Sequence, residues 1–184
     1  MPEKTGSTQR NKVRPAPSVI IVMGVSGCGK STIGSLLAAR LQSEFADADW
    51  FHPAANVDKM QNGVALSDED RWPWLRAIAV WIDKTREAGG HGVIACSALK
   101  RKYRDVLIGA RADVCLIYLK GDEQLIARRM ATRHEHFMPP GLLHSQFAAL
   151  EEPGIEEKPI IISIAAQPQK IVSQILSALS ARET

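Results

Sequence analysis

Cysteine is scarce in this 184-residue chain: only Cys28, Cys96 and Cys115 occur, far apart and odd in number, with no C-x-x-C pair and no His/Cys ligand cluster. That argues against a disulfide framework or a thiolate metal site and for reduced thiols in a cytosolic compartment. Long apolar runs are also missing. None approaches the length of a membrane span, and residues 1–17 lack the apolar segment of a secretory signal. Strong charge of one sign is absent too. Lysine and arginine total 23 against 20 aspartates and glutamates, a net charge of +3, and the densest basic run, Lys100-Arg101-Lys102, reads as a solvated helix face. A dedicated nucleic-acid surface is therefore not expected, nor are the extra domains of a nucleic-acid-stimulated ATPase. Neither D-x-x-G nor N-K-x-D occurs, which removes the signature of a GTPase switch.

What is present fits one soluble domain. The 45% hydrophobic content suits a well-buried core at this length, and the polar, proline-interrupted residues 1–17 read as a flexible tail ahead of a single domain over 18–184. Gly24-Val25-Ser26-Gly27-Cys28-Gly29-Lys30-Ser31 matches G-x-x-x-x-G-K-[ST] and follows the strand-like run at 18–23. The glycines at 24, 27 and 29 allow a tight backbone turn that offers N–H groups to phosphate oxygens. Lys30 supplies a mobile cation to the β- and γ-phosphates, and the Ser31 hydroxyl is a Mg²⁺ ligand. Apolar Ile33, Leu36, Leu37 and Leu41 at helical spacing predict a helix over 32–43, whose N-terminus faces the phosphates.

Further along, strands alternate with helices. A second strand ends in Asp47-Ala48-Asp49. Ser67 caps a helix that buries Leu75, Ile78, Ala79 and Ile82 and stops at Gly89-Gly90. Strands are predicted at 93–96, 114–119 and 160–164, and helices at 100–108, after the Asp122 cap, at 142–150, and along Val172, Ile175, Leu176 and Leu179. Residues 133–141, with Pro139-Pro140, break the pattern as an inserted flap, part of a helical lid over about 133–150. Cys96 and Cys115 lie in apolar runs as core residues. Each strand reads as apolar on both sides, so the prediction is an α/β fold with a parallel sheet covered on both faces. Its loops gather at the strand C-termini along one edge.

Two segments join the P-loop at that edge: Asp47-Ala48-Asp49-Trp50-Phe51-His52-Pro53 and Cys96-Ser97-Ala98-Leu99-Lys100-Arg101. Phosphorylating a hydroxyl requires an acceptor in line with the γ-phosphate, a carboxylate near its proton, and cations on the transferring group. Asp47 and Asp49 answer the second need, although a turn or cap role is open to either; His52 reads equally as a loop-packing residue.

These blocks, with Lys59-Met60, Gly63, Asp68-x-Asp70-Arg71-x-Pro73-Trp74-Leu75, Tyr103-Arg104-Asp105, His136-Phe137-Met138 and Ser145-Gln146-Phe147-x-x-Leu150-Glu151, resemble the gluconokinases over about residues 19–164. The resemblance implies a three-layer P-loop kinase of the shikimate and nucleoside-monophosphate kinase type, with a five-stranded parallel sheet in order 2-3-1-4-5. It also implies ATP-dependent phosphorylation of D-gluconate to 6-phospho-D-gluconate, with ATP and Mg²⁺, by a homodimer, which the cysteine pattern places in the cytoplasm. Combined with the chemistry, it puts Gly24, Ser26, Gly27, Cys28, Gly29, Lys30, Ser31 and Thr32 on the nucleotide and Arg129 on adenine. Ser31 and Asp47 serve Mg²⁺; Lys30, Asp49 and Arg133 serve the transfer. Asp49, His52, Arg71, Ser97, Lys100, Arg104 and His136 serve gluconate. For Arg71 an ion pair with Asp68 or Asp70 is the alternative. Ala48 and Glu135 stand where the family usually has glycine, and residues 163–167 lack the aspartate often found near adenine. The nearest rival is a shikimate-kinase-like enzyme, which would usually show a glycine triplet where this chain has Ser97-Ala98-Leu99.

Overall fold

The structure is a computed structural model that describes residues 16–131 and 140–183. Much of the expected tail and the centre of the expected flap, Arg133 and His136 included, lie outside them. Five parallel strands form one sheet in the order β2-β3-β1-β4-β5. In chain order they are β1 (Val19–Met23), β2 (Glu44–Asp47), β3 (Gly92–Ala95), β4 (Val114–Lys120) and β5 (Ile160–Ser163). The helices are α1 (Lys30–Leu41), α2 (Ala54–Gln61), α3 (Asp68–Glu87), α4 (Arg101–Leu107), α5 (Glu123–Ala131), α6 (Pro140–Ala149) and α7 (Pro168–Glu183). The predicted strand order is the observed one.

Alternation along the central strand builds two cores. Ile20 and Val22 point to one face with Ile33 and Leu37 of α1, Ile126 of α5, Leu143 of α6, and Val172 and Ile175 of α7. Val19, Ile21 and Met23 point to the other, against Leu75, Ile78 and Ile82 of α3 and Tyr103 and Leu107 of α4. A strand buried on both faces must be apolar throughout, and all five residues of β1 are buried. The edge strands depart from that expectation. Ile161 of β5 is half exposed, because an edge strand is covered less completely than a central one.

Local chemistry sets the helix starts. Ser67 Oγ accepts from Asp70 N–H while the Asp70 carboxylate accepts from Ser67 N–H, a reciprocal capping box that satisfies two otherwise orphaned donors of α3. Asp122 accepts from Leu125 N–H at 2.7 Å and caps α5. The second strand is shorter than predicted. It stops at Asp47 because that carboxylate accepts the N–H of Asp49 at 3.1 Å, which turns residues 48–51 into a 3₁₀ coil.

Candidate active site

Strand register brings the three expected segments level. Val22 and Asp47 both pair with Ala95, one on each side of β3. Two residues beyond that row stand Gly24, Asp49 and Ser97, the first residue of the P-loop and one polar group from each of the other two segments.

The donor loop is tightly held. Gly24 and Gly27 have φ of +149° and +78°, the left-handed region that favours glycine. A Cβ on Gly27 would also lie 2.7 Å from Met130 Sδ and 3.1 Å from an Ile126 methyl, so α5 rests directly on the loop. Lys30 Nζ donates to Val25 O at 3.1 Å, bridging the turn, and Cys28 N–H donates to the same carbonyl. The Cys28 side chain is buried, and burial raises its thiol pKa, so only its backbone faces the turn of the loop expected to hold the nucleotide. Ser31 and Thr32 are exposed in the first turn of α1, where the helix dipole favours an anion.

Ser31 Oγ donates to Asp47 Oδ2 at 2.6 Å, joining the donor loop to the end of β2. The two groups expected at Mg²⁺ therefore touch. Both are hard oxygen donors, and Mg²⁺ usually combines one or two such ligands with phosphates and water rather than an all-protein cage. Among the described residues no group of three or more His, Cys, Asp or Glu gathers as such a cage. Asp49 projects outward, its side chain 87% exposed, on a 3₁₀ turn that Trp74 pins by donating to Ala48 O at 2.7 Å. His52 stacks on Trp74 with centroids 4.5 Å apart and lies 4.0 Å from the Asp49 carboxylate. Burial lowers the His52 pKa, with Arg71 adding to that effect against the pull of Asp49. Its ring thus combines the packing role with a position beside the exposed Asp49 carboxylate. Buried Asn56 donates to Asp70 O at 2.8 Å and lies 3.5 Å from His52 Nδ1, tying α2 to the start of α3.

The block after β3 divides into two parts. Ser97 is partly exposed at the edge. Beyond it, Asp68 accepts from Lys100, Lys102 and the Tyr103 hydroxyl and lies 3.9 Å from Arg71. Lys102, Tyr103 and Lys100 together hold the Asp68 carboxyl well below its ordinary range. Burial, then Asp68, pushes Tyr103 up to about 12. The ion-pair alternative for Arg71 is thus present, but three cations surround one carboxylate, which leaves the cluster positive. Arg104 corrects the expectation. It is 2% exposed, holds both oxygens of Glu157 at 2.5 and 2.9 Å, and donates to the carbonyls of Ala98, Leu99 and Glu151. Its donors are committed to the fold, because α4 turns this face inward. What it secures is the loop after Ser97, where Ala98 has the left-handed φ of +43°.

Arg129 donates to Ile164 O at 2.7 Å, beside residues 163–167, where adenine is expected; Arg128 is exposed. Trp74, Asn56 and Gln146 have contacts that pattern reading did not assign. Trp74 and Gln146 bond residues 26 and 120 positions away, and no local periodicity reports such a bond.

The chain matches the shikimate kinase family over residues 26–180. The chain is 42% identical to a probable gluconokinase of Mus musculus over 181 residues, covering 89% of this chain and 98% of that protein. It is 48% identical to the thermosensitive gluconokinase of Escherichia coli (strain K12) over 141 residues, covering 77% and 75%. The crystal structure of a gluconokinase from Sinorhizobium meliloti 1021 superposes with a TM-score of 0.83 at 40% identity, covering 91% of this chain and 94% of that one.

Proposed function

The chain belongs to the shikimate kinase family and within it to the gluconokinases, and from that position we propose that it transfers the γ-phosphoryl group of ATP to a hydroxyl of D-gluconate. The products are 6-phospho-D-gluconate and ADP. The observation that carries this is the 2.6 Å junction between Ser31 of the P-loop and Asp47, with Asp49 exposed two residues further on. One strand end thus meets the nucleotide and presents a carboxylate to an acceptor.

Lys30 and the loop amides hold the phosphates. Ser31, and Asp47 through water, would hold Mg²⁺, which when bound offsets charge on the phosphate oxygens. Asp49 orients the acceptor hydroxyl and takes its proton as the new O–P bond forms and the bond to ADP breaks. The nucleophile is activated late in such transfers, so positioning outweighs basicity. His52 and Ser97 meet the polyol, and the Arg71–Lys100 cluster meets the substrate carboxylate. Arg129 lies along adenine. Arg133 and His136, outside the described residues, complete the reading on the γ-phosphate and substrate within a lid over about 133–150.

The reading takes 18–184 as one kinase unit in the cytoplasm and includes a homodimer, for which the family resemblance is the support. Three free, buried cysteines suit the reducing compartment. No helix among the described residues is long and apolar enough to cross a membrane. The test is a coupled ADP-release assay across gluconate, shikimate, other sugar acids and nucleosides. Preference for gluconate is expected; preference for shikimate would favour the shikimate-kinase-like rival, and indifference to gluconate would sink the assignment.

A further inference from the structure

One P-loop amide is engaged from a distant helix. Ser26 N–H donates to Gln146 Oε1 at 2.7 Å, across 120 residues of sequence. Ser26 is the third residue of the loop, between Gly24 and Gly27, in the array that offers N–H groups to phosphate. Gln146 is on α6, held by buried Leu143 and by Phe147, both packed on the core that contains Cys28 and Ile126. Just past the end of α6, Glu151 N–H donates to Leu99 O at 2.9 Å, and Arg104 donates to Glu151 O. The carboxamide is therefore carried by an element anchored at one side to the donor loop and at the other to the loop that follows Ser97. Both loops are thus tied to α6 and the residue that follows it.

A carboxamide whose oxygen is occupied by an N–H still has two N–H donors of its own. A glutamate there would accept from Ser26 equally well but would offer no donor and would add a negative charge. We propose that Gln146 contacts the terminal phosphate of bound nucleotide, its oxygen held by Ser26 N–H and its amide nitrogen donating to a phosphate oxygen, so that the site distinguishes a triphosphate from a diphosphate. The proposal rests on the nucleotide half of the function above and is independent of which acceptor is used.

The test is direct binding by titration calorimetry, with Mg²⁺, of a non-hydrolysable ATP analogue and of ADP. Wild type, Gln146→Glu and Gln146→Leu are compared, with melting temperatures recorded in parallel. Gln146→Glu should weaken the ATP analogue roughly 10- to 100-fold, the scale of a charge-assisted hydrogen bond lost, and change ADP binding by less than about threefold. Gln146→Leu should also lose analogue affinity selectively, by a smaller factor because no repulsion is added. If Gln146→Leu does not fold, Gln146→Glu alone decides, since it keeps the bond to Ser26. Equal losses for both nucleotides, or none for either, would overturn the proposal and leave Gln146 as a brace for the loop. A wild-type chain that binds the two nucleotides but shows no preference for gluconate would refute the acceptor assignment and leave this inference standing. A wild-type chain that binds neither overturns both.

Discussion

Replacing Arg104 by methionine separates a ligand from a structural residue, because the two roles predict opposite measurements. The guanidinium is 2% exposed and its partner Glu157 has a side chain only 6% exposed. Removing one member of a buried pair leaves the other charge uncompensated, which costs about 3–5 kcal/mol. The carbonyls of Ala98, Leu99 and Glu151 lose a donor as well, at about 1–3 kcal/mol for each that water does not reach. These losses overlap, so we take about 4 kcal/mol as the expected total. With a urea slope of about 2 kcal/mol/M, the unfolding midpoint should fall by roughly 2 M at pH 7. Adding Glu157→Gln to the variant removes the stranded charge and should recover at least about 1 kcal/mol.

The dependence on pH follows from Glu157. Burial alone would raise its pKa, but the bonds from Arg104 and Gly154 N–H and the charge of Arg101 hold it below its ordinary value. Its stabilising contribution is full above the ordinary glutamate range and is lost as pH falls through the lowered value. The gap between wild type and variant should therefore narrow on acidification. A variant that loses less than about 1 kcal/mol of stability, yet has a raised KM for gluconate at unchanged melting temperature, would refute this reasoning and return Arg104 to the substrate.

Asp49→Asn should lower kcat by about 10²- to 10⁴-fold with ATP affinity within a few-fold of wild type, read by steady-state kinetics and calorimetry; a near-normal rate would remove Asp49 from the acceptor site. His52 should titrate below the ordinary histidine value of 6.5 in an NMR pH series, because burial disfavours its cation. The unfolded chain then binds more protons in the window between 6.5 and the lowered value, so stability should decline as pH falls through it, and His52→Gln should flatten that decline. A ring that titrates at or above 6.5 would contradict the buried stack on Trp74.

The P-loop was legible because its chemistry is local: glycines at 24, 27 and 29, then Lys30 and Ser31, are needed at fixed spacing by one turn and one helix start. The same holds for the Ser67 capping box and the apolar β1, whose patterns arise within a few residues. Period alone could not fix where β2 ends, since Asp47 bends the chain through its own side chain and Trp74 then bonds Ala48 O from α3. Nor could it separate Arg71 from Arg104. Both are cations in matched motifs, yet one is left about a third exposed beside Asp68 and the other is buried on Glu157. Sequence by itself determined the donor chemistry, the α/β class and, through resemblance, the strand order and acceptor. Only tertiary structure decided which charged groups remain available to a substrate, because burial and pairing depend on neighbours that lie tens of residues away along the chain.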